Sequence, residues 1–369
     1  MRKFIPIAMP HLSGNEKKYV MDCLDTNWIS SIGKYIKEFE GAFAAWLGSK
    51  NALSCCNGTL GLHLPLLALD VKQGDEILIP SFTYIATANV VRYCGATPVL
   101  VDCLPDTWNI DPTDMERKIT SKTKGVIPVH LYGNPCDMDS IMDLAKQHDL
   151  FVVEDAAECH GATYKGKKAG TFGIAGVFSF FGNKIITTGE GGMVVTNEDE
   201  LADKMRIFKG QGMDPKRRYW FPITGYNYRM TNIEAAIGLA QLENAAEHIA
   251  ARRRVAEWYC QSLVDLADYL SPQKETPGAE SVWWMYSVLL SKNAKISRDA
   301  LIAALADDGI ETRPLFYPMH VMPAFYDEKA NCPISEDISA RGINLPTHAL
   351  LTRDDIEYIC SRLKTHVAG

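Results

Sequence analysis

Between residue 52 and about residue 200 the chain alternates two kinds of apolar pattern. Short unbroken runs, DEILIPS (75–81), TPVLVD (97–102), GVIPVH (125–130) and LFVVED (150–155), are rich in aliphatic residues, which predicts strands buried on both faces. Between them lie segments such as SIMDLAKQHD (140–149), where Ile141, Met142, Leu144 and Ala145 recur at helical spacing. Strands alternating with helices predict an α/β fold around a mostly parallel sheet. In such sheets ligands collect beyond the carboxyl ends of the strands, which directs attention to Ser81, His130 and Asp155.

The pattern then changes. From Thr231 to about Val264 one long helical periodicity runs through TNIEAAIGLAQLENAAEHIAARRRVAEWYCQSLV, with Thr231 or Asn232 as its N-cap. Beyond it come the apolar run WWMYSVLL (283–290), a helical RDALIAALADDG (298–309) closed by Gly309, and a final helix near 352–365. This organisation predicts a large domain over 1–250 and a smaller C-terminal α+β domain over 251–369. Neither an internal repeat nor a Pro/Ser-rich linker sharpens the boundary.

A chain of 369 residues with 47% hydrophobic and 22% charged residues is long enough for two units with a sizeable core. The net charge of -7 argues against general nucleic-acid binding, though it allows a local anion site. The ten cysteines are scattered apart from adjacent Cys55 and Cys56, and no CxxC pair occurs, so free thiols in a reducing compartment are expected. Arg2 and Lys3 are not followed by a signal-like apolar run, and no stretch approaches membrane-spanning length. A cytoplasmic protein without membrane contact is the expectation.

Three short clusters carry candidate chemistry. In SCCNGTLGLHLPLLAL (54–69), Asn57-Gly58-Thr59 would open a helix whose free amides and dipole suit a phosphate, although Gly61 and Pro65 count against the helix itself. Asp155 follows directly on an apolar strand, with Glu158 three residues later; a buried carboxylate there needs a cationic partner. Lys184 lies between Phe178, Phe180 and Phe181 and the glycines 189, 191 and 192, an enclosed setting that would desolvate its amine and favour Schiff-base chemistry. Read singly, these are a capped helix, a helix cap and a surface charge. Read together they match pyridoxal phosphate, which needs a lysine, a carboxylate for its ring nitrogen and a phosphate cradle.

The segments NGT (57–59), PSFTYIATANVVRYCGATPVLVD (80–102), PVHLYG (128–133), EDAAE (154–158), FSFFGNKIITTGEGG (178–192), GYNYRMTNIEAAIGLAQLE (225–243) and GINLPTH (342–348) together resemble the DegT/DnrJ/EryC1/StrS family of sugar-nucleotide aminotransferases. The resemblance covers nearly the whole chain and implies the aspartate-aminotransferase-like fold (fold type I). It assigns Lys184 as the Schiff-base lysine, Asp155 as partner of the pyridinium, and Glu158 to the ring's 3-hydroxyl. Tyr84 would stack on the ring, and Gly58, Thr59 and Ser179 would hold the phosphate, with Asn227 reaching in from the second subunit of a homodimer. FFGNKIITTGEGG and RYWFPITGYNYRMTN are most similar to a branch that aminates GDP-4-keto-6-deoxymannose at C4 with L-glutamate. Ile174, Cys56 and Pro65 depart from the family pattern without removing a group the chemistry needs.

The reaction so implied is a ping-pong transamination with Lys184 as general base and acid. UDP- or dTDP-linked keto sugars are alternative substrates. Related sugar dehydratases carry histidine in place of the lysine, and a non-catalytic relative would tolerate its loss. On the sugar side, Lys34, Arg217, Arg218 and Arg313 suit pyrophosphate or carboxylate oxygens. Trp28, Ser30 and Ser31 in TNWISSIGKY, with Tyr317 and His320 in FYPMH, are candidates for the sugar pocket.

Overall fold

The computed structural model describes residues 4–369; Arg2 and Lys3 lie outside them. The predicted runs form β1 (Asn51–Cys55), β2 (Glu76–Pro80), β3 (Thr97–Val101), β4 (Thr123–Val126) and β5 (Phe151–Asp155). After a small ribbon, β6 (Thr163–Tyr164) and β7 (Lys167–Lys168), come β8 (Ala175–Ser179) and β9 (Gly192–Thr196). They build a seven-stranded sheet in the order β1-β9-β8-β5-β4-β2-β3. Neighbours from β8 through β3 are parallel, and β9 alone runs against the rest, pairing antiparallel with both β1 and β8. Six carboxyl ends, those of β1, β2, β3, β4, β5 and β8, therefore open on one edge. β8 and β9 are buried at every position, as sheet strands covered on both faces require.

Helices α1 (Glu16–Asp25), α2 (Lys34–Leu47), α3 (Gly58–Ala68), α4 (Ala86–Tyr93), α5 (Pro112–Lys118), α6 (Met138–Gln147) and α7 (Asp199–Lys209) accompany this sheet. α3 is one continuous helix despite Pro65. Its sequence is apolar all round and almost wholly buried, and the bare Gly61 lets it lie against the sheet: a Cβ there would stand 2.9 Å from Val177 Cγ1. Packing on this scale outweighs one lost backbone bond.

The single long helix expected from Thr231 is two, α8 (Asn232–Glu243) and α9 (Ala245–Ser262). Thr231 is the N-cap, in a reciprocal capping box with Glu234. The break falls at Asn244 (φ -105°, ψ 12°), whose side chain abuts Gly14. Continuous periodicity hides the break because α8 packs on α1 and α2 while the second half of α9 passes into a different core. α9 runs unbroken through position 250: Ala245 and Ile249 join the core beside the large sheet, Val255, Ala256 and Tyr259 the C-terminal core.

The C-terminal core is built on the antiparallel strands β10 (Leu270–Pro272), β12 (Tyr286–Leu290), β13 (Arg313–Pro314) and β14 (Gly342–Leu345). A short β11 (Ala279–Glu280) pairs instead with β6. Helices α10 (Arg298–Asp307), α11 (Pro333–Arg341) and α12 (Arg353–Ala368) complete this part, and Gly309 (φ 81°) ends the turn after α10. Ile5, bridged to Ile310, packs into the same core. Among the described residues no helix is long and apolar enough to cross a membrane, and all ten cysteines are free.

Candidate active site

Asp155 ends β5 at the open edge, and its buried carboxylate accepts from Thr87 Oγ1 (2.9 Å) and from the Ala157 amide (3.1 Å). Among the described residues no cation forms an ion pair with it. Burial consequently raises its pKa above the ordinary carboxylate value, against the opposing pull of those two hydrogen bonds and of Lys184 and His130.

Lys184 lies in the loop joining β8 to β9. Its Nζ stands 3.4 Å from Glu158 Oε1 and 3.7 Å from the centroid of the Trp284 ring. Desolvation lowers the lysine's pKa and raises that of Glu158, each against the attraction of the other. Glu158 is further fixed by the Tyr132 amide, which donates to its Oε2 (2.8 Å).

An aromatic wall continues from there. Tyr132 stacks on Trp284 (6.2 Å, 20°) and on Phe316 (5.3 Å, 21°), and Phe316 meets the half-exposed Tyr84 (5.9 Å). At the other side of the site, Asn57 caps α3 through the Leu60 amide (2.9 Å), so the amides of Gly58 and Thr59 have no intrahelical partner. Ser179 at the end of β8 faces this helix start so closely that a Cβ on Gly58 would stand 2.8 Å from its Cβ. A lysine amine, a buried carboxylate lacking a cation and an amide-lined helix start thus converge, and they fit the three ends of pyridoxal phosphate.

The remaining candidates lie apart from this cluster. Lys34 is exposed and pairs with Asp22 (2.8 Å), and Arg313 pairs with Glu311 (3.2 Å). Arg217 and Arg218 stack on Trp220 and Tyr219 in an exposed loop. Trp28 is exposed; its carbonyl and that of Ser30 bind Asn232, while Ser31 Oγ accepts from Arg229. Asn227 is exposed on a bridge to Gly210, and Tyr317 is exposed. His320 is buried, hydrogen-bonded to Ser81 Oγ (2.8 Å) and Glu336 (3.0 Å). His130 is buried too: its Nδ1 accepts from the Cys136 amide, leaving Nε2–H to donate to Glu154 (3.0 Å), a brace beneath Asp155.

Thr87, Tyr132, Trp284 and Phe316 are the members of the site that periodicity and motif spacing did not single out. A cavity of about 580 Å³ bordered by Trp46, Lys168, Arg253 and Arg254 shares no residue with it.

The model of the DegT/DnrJ/EryC1/StrS aminotransferase family matches residues 10–364. A GDP-perosamine synthase of Caulobacter vibrioides is 55% identical over 97% of this chain and 97% of its own length; one of Escherichia coli O157:H7 is 50% identical over 98% of each. A putative sugar aminotransferase of Streptococcus pneumoniae, solved in its PLP form, superposes with a TM-score of 0.93 at 28% identity over 99% of both chains. With the convergence of Lys184, Asp155 and the α3 start, these likenesses place the chain: it belongs to the DegT/DnrJ/EryC1/StrS aminotransferase family and is a pyridoxal-phosphate-dependent transaminase.

Proposed function

We propose that this enzyme transfers the amino group of L-glutamate to C4 of GDP-4-keto-6-deoxy-D-mannose, giving GDP-perosamine, a precursor for O-antigen-type cell-surface polysaccharide. The observation that carries the chemistry is the buried Lys184 amine, 3.4 Å from Glu158 and in the field of Asp155. The nucleotide and sugar rest on the 55% identity to a GDP-perosamine synthase across nearly the full length. Lysine at position 184, where the related dehydratases carry histidine, favours amino transfer over dehydration.

Bound here, pyridoxal phosphate supplies an electron sink and a carrier for the amino group between the two substrates. Lys184 holds the cofactor at rest; freed, its neutral Nζ takes the proton from the amino donor's α-carbon and later returns one to the sugar's C4. Asp155 stays ionised against the ring nitrogen, and Glu158 lies at the ring's 3-hydroxyl. Tyr84 covers the ring, while the Gly58 and Thr59 amides with Ser179 bind the phosphate.

Exposed Trp28, Ile29, Ile32, Phe181, Trp220 and Phe221 support a homodimer in which Asn227 completes the partner's phosphate site. Trp28, Ser30, Ser31, Lys34, Arg217, Arg218, Arg313 and Tyr317 face the sugar nucleotide, with His320 behind them. The large unit to about residue 250 carries the cofactor, the rest forms the small unit, and the setting is cytoplasmic.

The test is to incubate the purified yellow enzyme with glutamate and a panel of keto nucleotide sugars, following amino-sugar product by mass spectrometry. Product from the GDP sugar is expected. Reaction with UDP- or dTDP-linked sugars alone removes the perosamine assignment, and no reaction at all with normal cofactor absorbance removes the substrate class.

A further inference from the structure

Trp284 comes to Lys184 from 100 positions further along the chain, and it is held there on every side. Its Nε1–H donates to the carbonyl of Asn183, the residue before the lysine (2.9 Å). Its ring stacks on Tyr132, and the backbone on either side is tied to the same loop through Val282 N to Gly133 O (3.0 Å) and Met285 N to Tyr132 O (3.4 Å). Its own carbonyl accepts from Arg252 Nη1 (3.1 Å). The approach is tight: a Cβ on Gly133 would stand 2.8 Å from the Trp284 amide.

The backbone is strained at both sides of this stack. Tyr132 (φ 56°) and Trp283 (φ 49°) occupy the left-handed region, which bulky residues seldom adopt. Such conformations persist where surrounding contacts over-determine them, and they cluster at sites where a group must be held in place. Here they aim one indole face at one amine.

The charged groups facing that amine are Glu158 and Asp155, which favour its proton, and the Arg252 guanidinium, which opposes it. Arg252 is buried against two backbone carbonyls, of Trp284 and Thr347, with no carboxylate partner among the described residues. His160, buried beside Phe178 and Phe180, is held neutral, its pKa lowered to about 3 by burial. Desolvation alone would leave the lysine a poor proton acceptor. An indole face within 6 Å of a cation attracts it, more strongly where water is excluded.

We infer that Trp284 is a positioning residue whose ring face, with Glu158 beside it, is the resting place of the protonated Lys184 amine. Nζ takes one proton from the amino donor's α-carbon, holds it as an ammonium over the indole, and passes it to the bound cofactor within the same half-reaction, so the amine is neutral again before the keto sugar arrives; the second half-reaction runs the same transfer in reverse, toward the sugar's C4. The assignment rests on Lys184 being the proton carrier of the proposed reaction.

The experiment measures Lys184 acylation against pH in the cofactor-free enzyme, read by mass spectrometry of the peptide that contains it. Trp284→Leu, which keeps an apolar side chain but no ring face, is expected to lower the amine's pKa by roughly 0.5 to 1.5 units. Trp284→Phe, which keeps a face, is expected to lower it less. In the loaded Trp284→Leu enzyme the acid limb of the kcat profile moves to lower pH in step. If Trp284 were only packing, its loss would admit water and raise the pKa, so an unchanged or raised value overturns the inference.

Should Trp284→Leu fail to fold, wild-type chain grown with fluorinated tryptophan, whose ring face attracts cations less, must still lower the pKa; no change overturns the inference equally. Neither acylation measurement uses a sugar or requires turnover. Borohydride fixation of the cofactor to Lys184 checks the underlying reading separately, since failure there leaves the pKa result standing.

Discussion

Lys184 Nζ and Glu158 Oε1 stand 3.4 Å apart in a setting where burial opposes the charge on each. The lysine's pKa is lowered, so its amine becomes an available base at a pH where an ordinary lysine is still protonated. Lys184→Ala is expected to lose multiple turnover, with kcat/KM falling by at least about 10³-fold while far-ultraviolet circular dichroism is unchanged. Retained multiple turnover would refute its role. In the wild-type enzyme the rate should rise with pH through a midpoint below the ordinary lysine value, as the amine gives up its proton.

Asp155 is a buried carboxylate waiting for a cation, and this has a stability signature. Its folded-state pKa is raised, so the protonated form is the one folding favours. The corresponding stability is full below the ordinary aspartate pKa and is lost as pH rises through the raised value. In the cofactor-free enzyme Asp155→Asn, which cannot ionise, is therefore expected to be the more stable protein at neutral pH, by roughly 1–3 kcal/mol. The advantage should shrink toward pH 4. Thermal unfolding at both pH values measures it; addition of cofactor should reverse the ranking, because only the wild type then gains an ion pair. A gap independent of pH would show that the carboxylate's ionisation is not its source.

Gly58 and Ser179 leave no room between them. Gly58→Ala places a methyl group 2.8 Å from Ser179 Cβ and 3.3 Å from its Cα, so the start of α3 must shift away from the strand end. Overpacking of this kind costs about 1–3 kcal/mol, here expected to fall on the phosphate site as a ten-fold or greater loss of cofactor affinity. Absorbance titration of the cofactor-free variant checks this. Ser179→Ala, which removes a hydroxyl but adds no bulk, should lose less; equal losses would mean that the hydroxyl rather than the close approach matters.

The elements that bring Lys184, Asp155 and the start of α3 together were legible because each is local. β5 and β8 are unbroken apolar runs, Asp155 and Ser179 stand at their ends, and Asn57 is a cap residue beside a glycine. What could not be read is long-range. WWMYSVLL is an apolar run from which only Tyr286–Leu290 becomes strand, and Trp284 reaches Lys184 only through the bonds tying 282–285 to 132–133. The left-handed Tyr132 carries no signal in its residue type, since glycine or asparagine would be expected there. Asn244 likewise splits a periodicity that continues through it, since both sides of the break share one core and only the later turns of α9 enter the C-terminal one.

His320 is the place where position in the sequence and position in the fold give different expectations. In FYPMH, His320 follows the exposed Tyr317 by three residues, which suggests a sugar contact. The imidazole, however, is buried, with Nδ1 at 2.8 Å from Ser81 Oγ and Nε2 at 3.0 Å from Glu336 Oε1. Ser81 follows β2, so this bridge ties the open edge of the large sheet to α11. His320→Phe fills the space but leaves the buried Ser81 hydroxyl without its partner, and it should cost roughly 1–3 kcal/mol of stability. KM for the sugar nucleotide is expected to change less than about three-fold, because no donor that faces the ligand has been removed. Unfolding and steady-state kinetics on the same preparation separate the two roles: a ten-fold rise in KM with unchanged stability would make His320 a sugar contact instead of a brace.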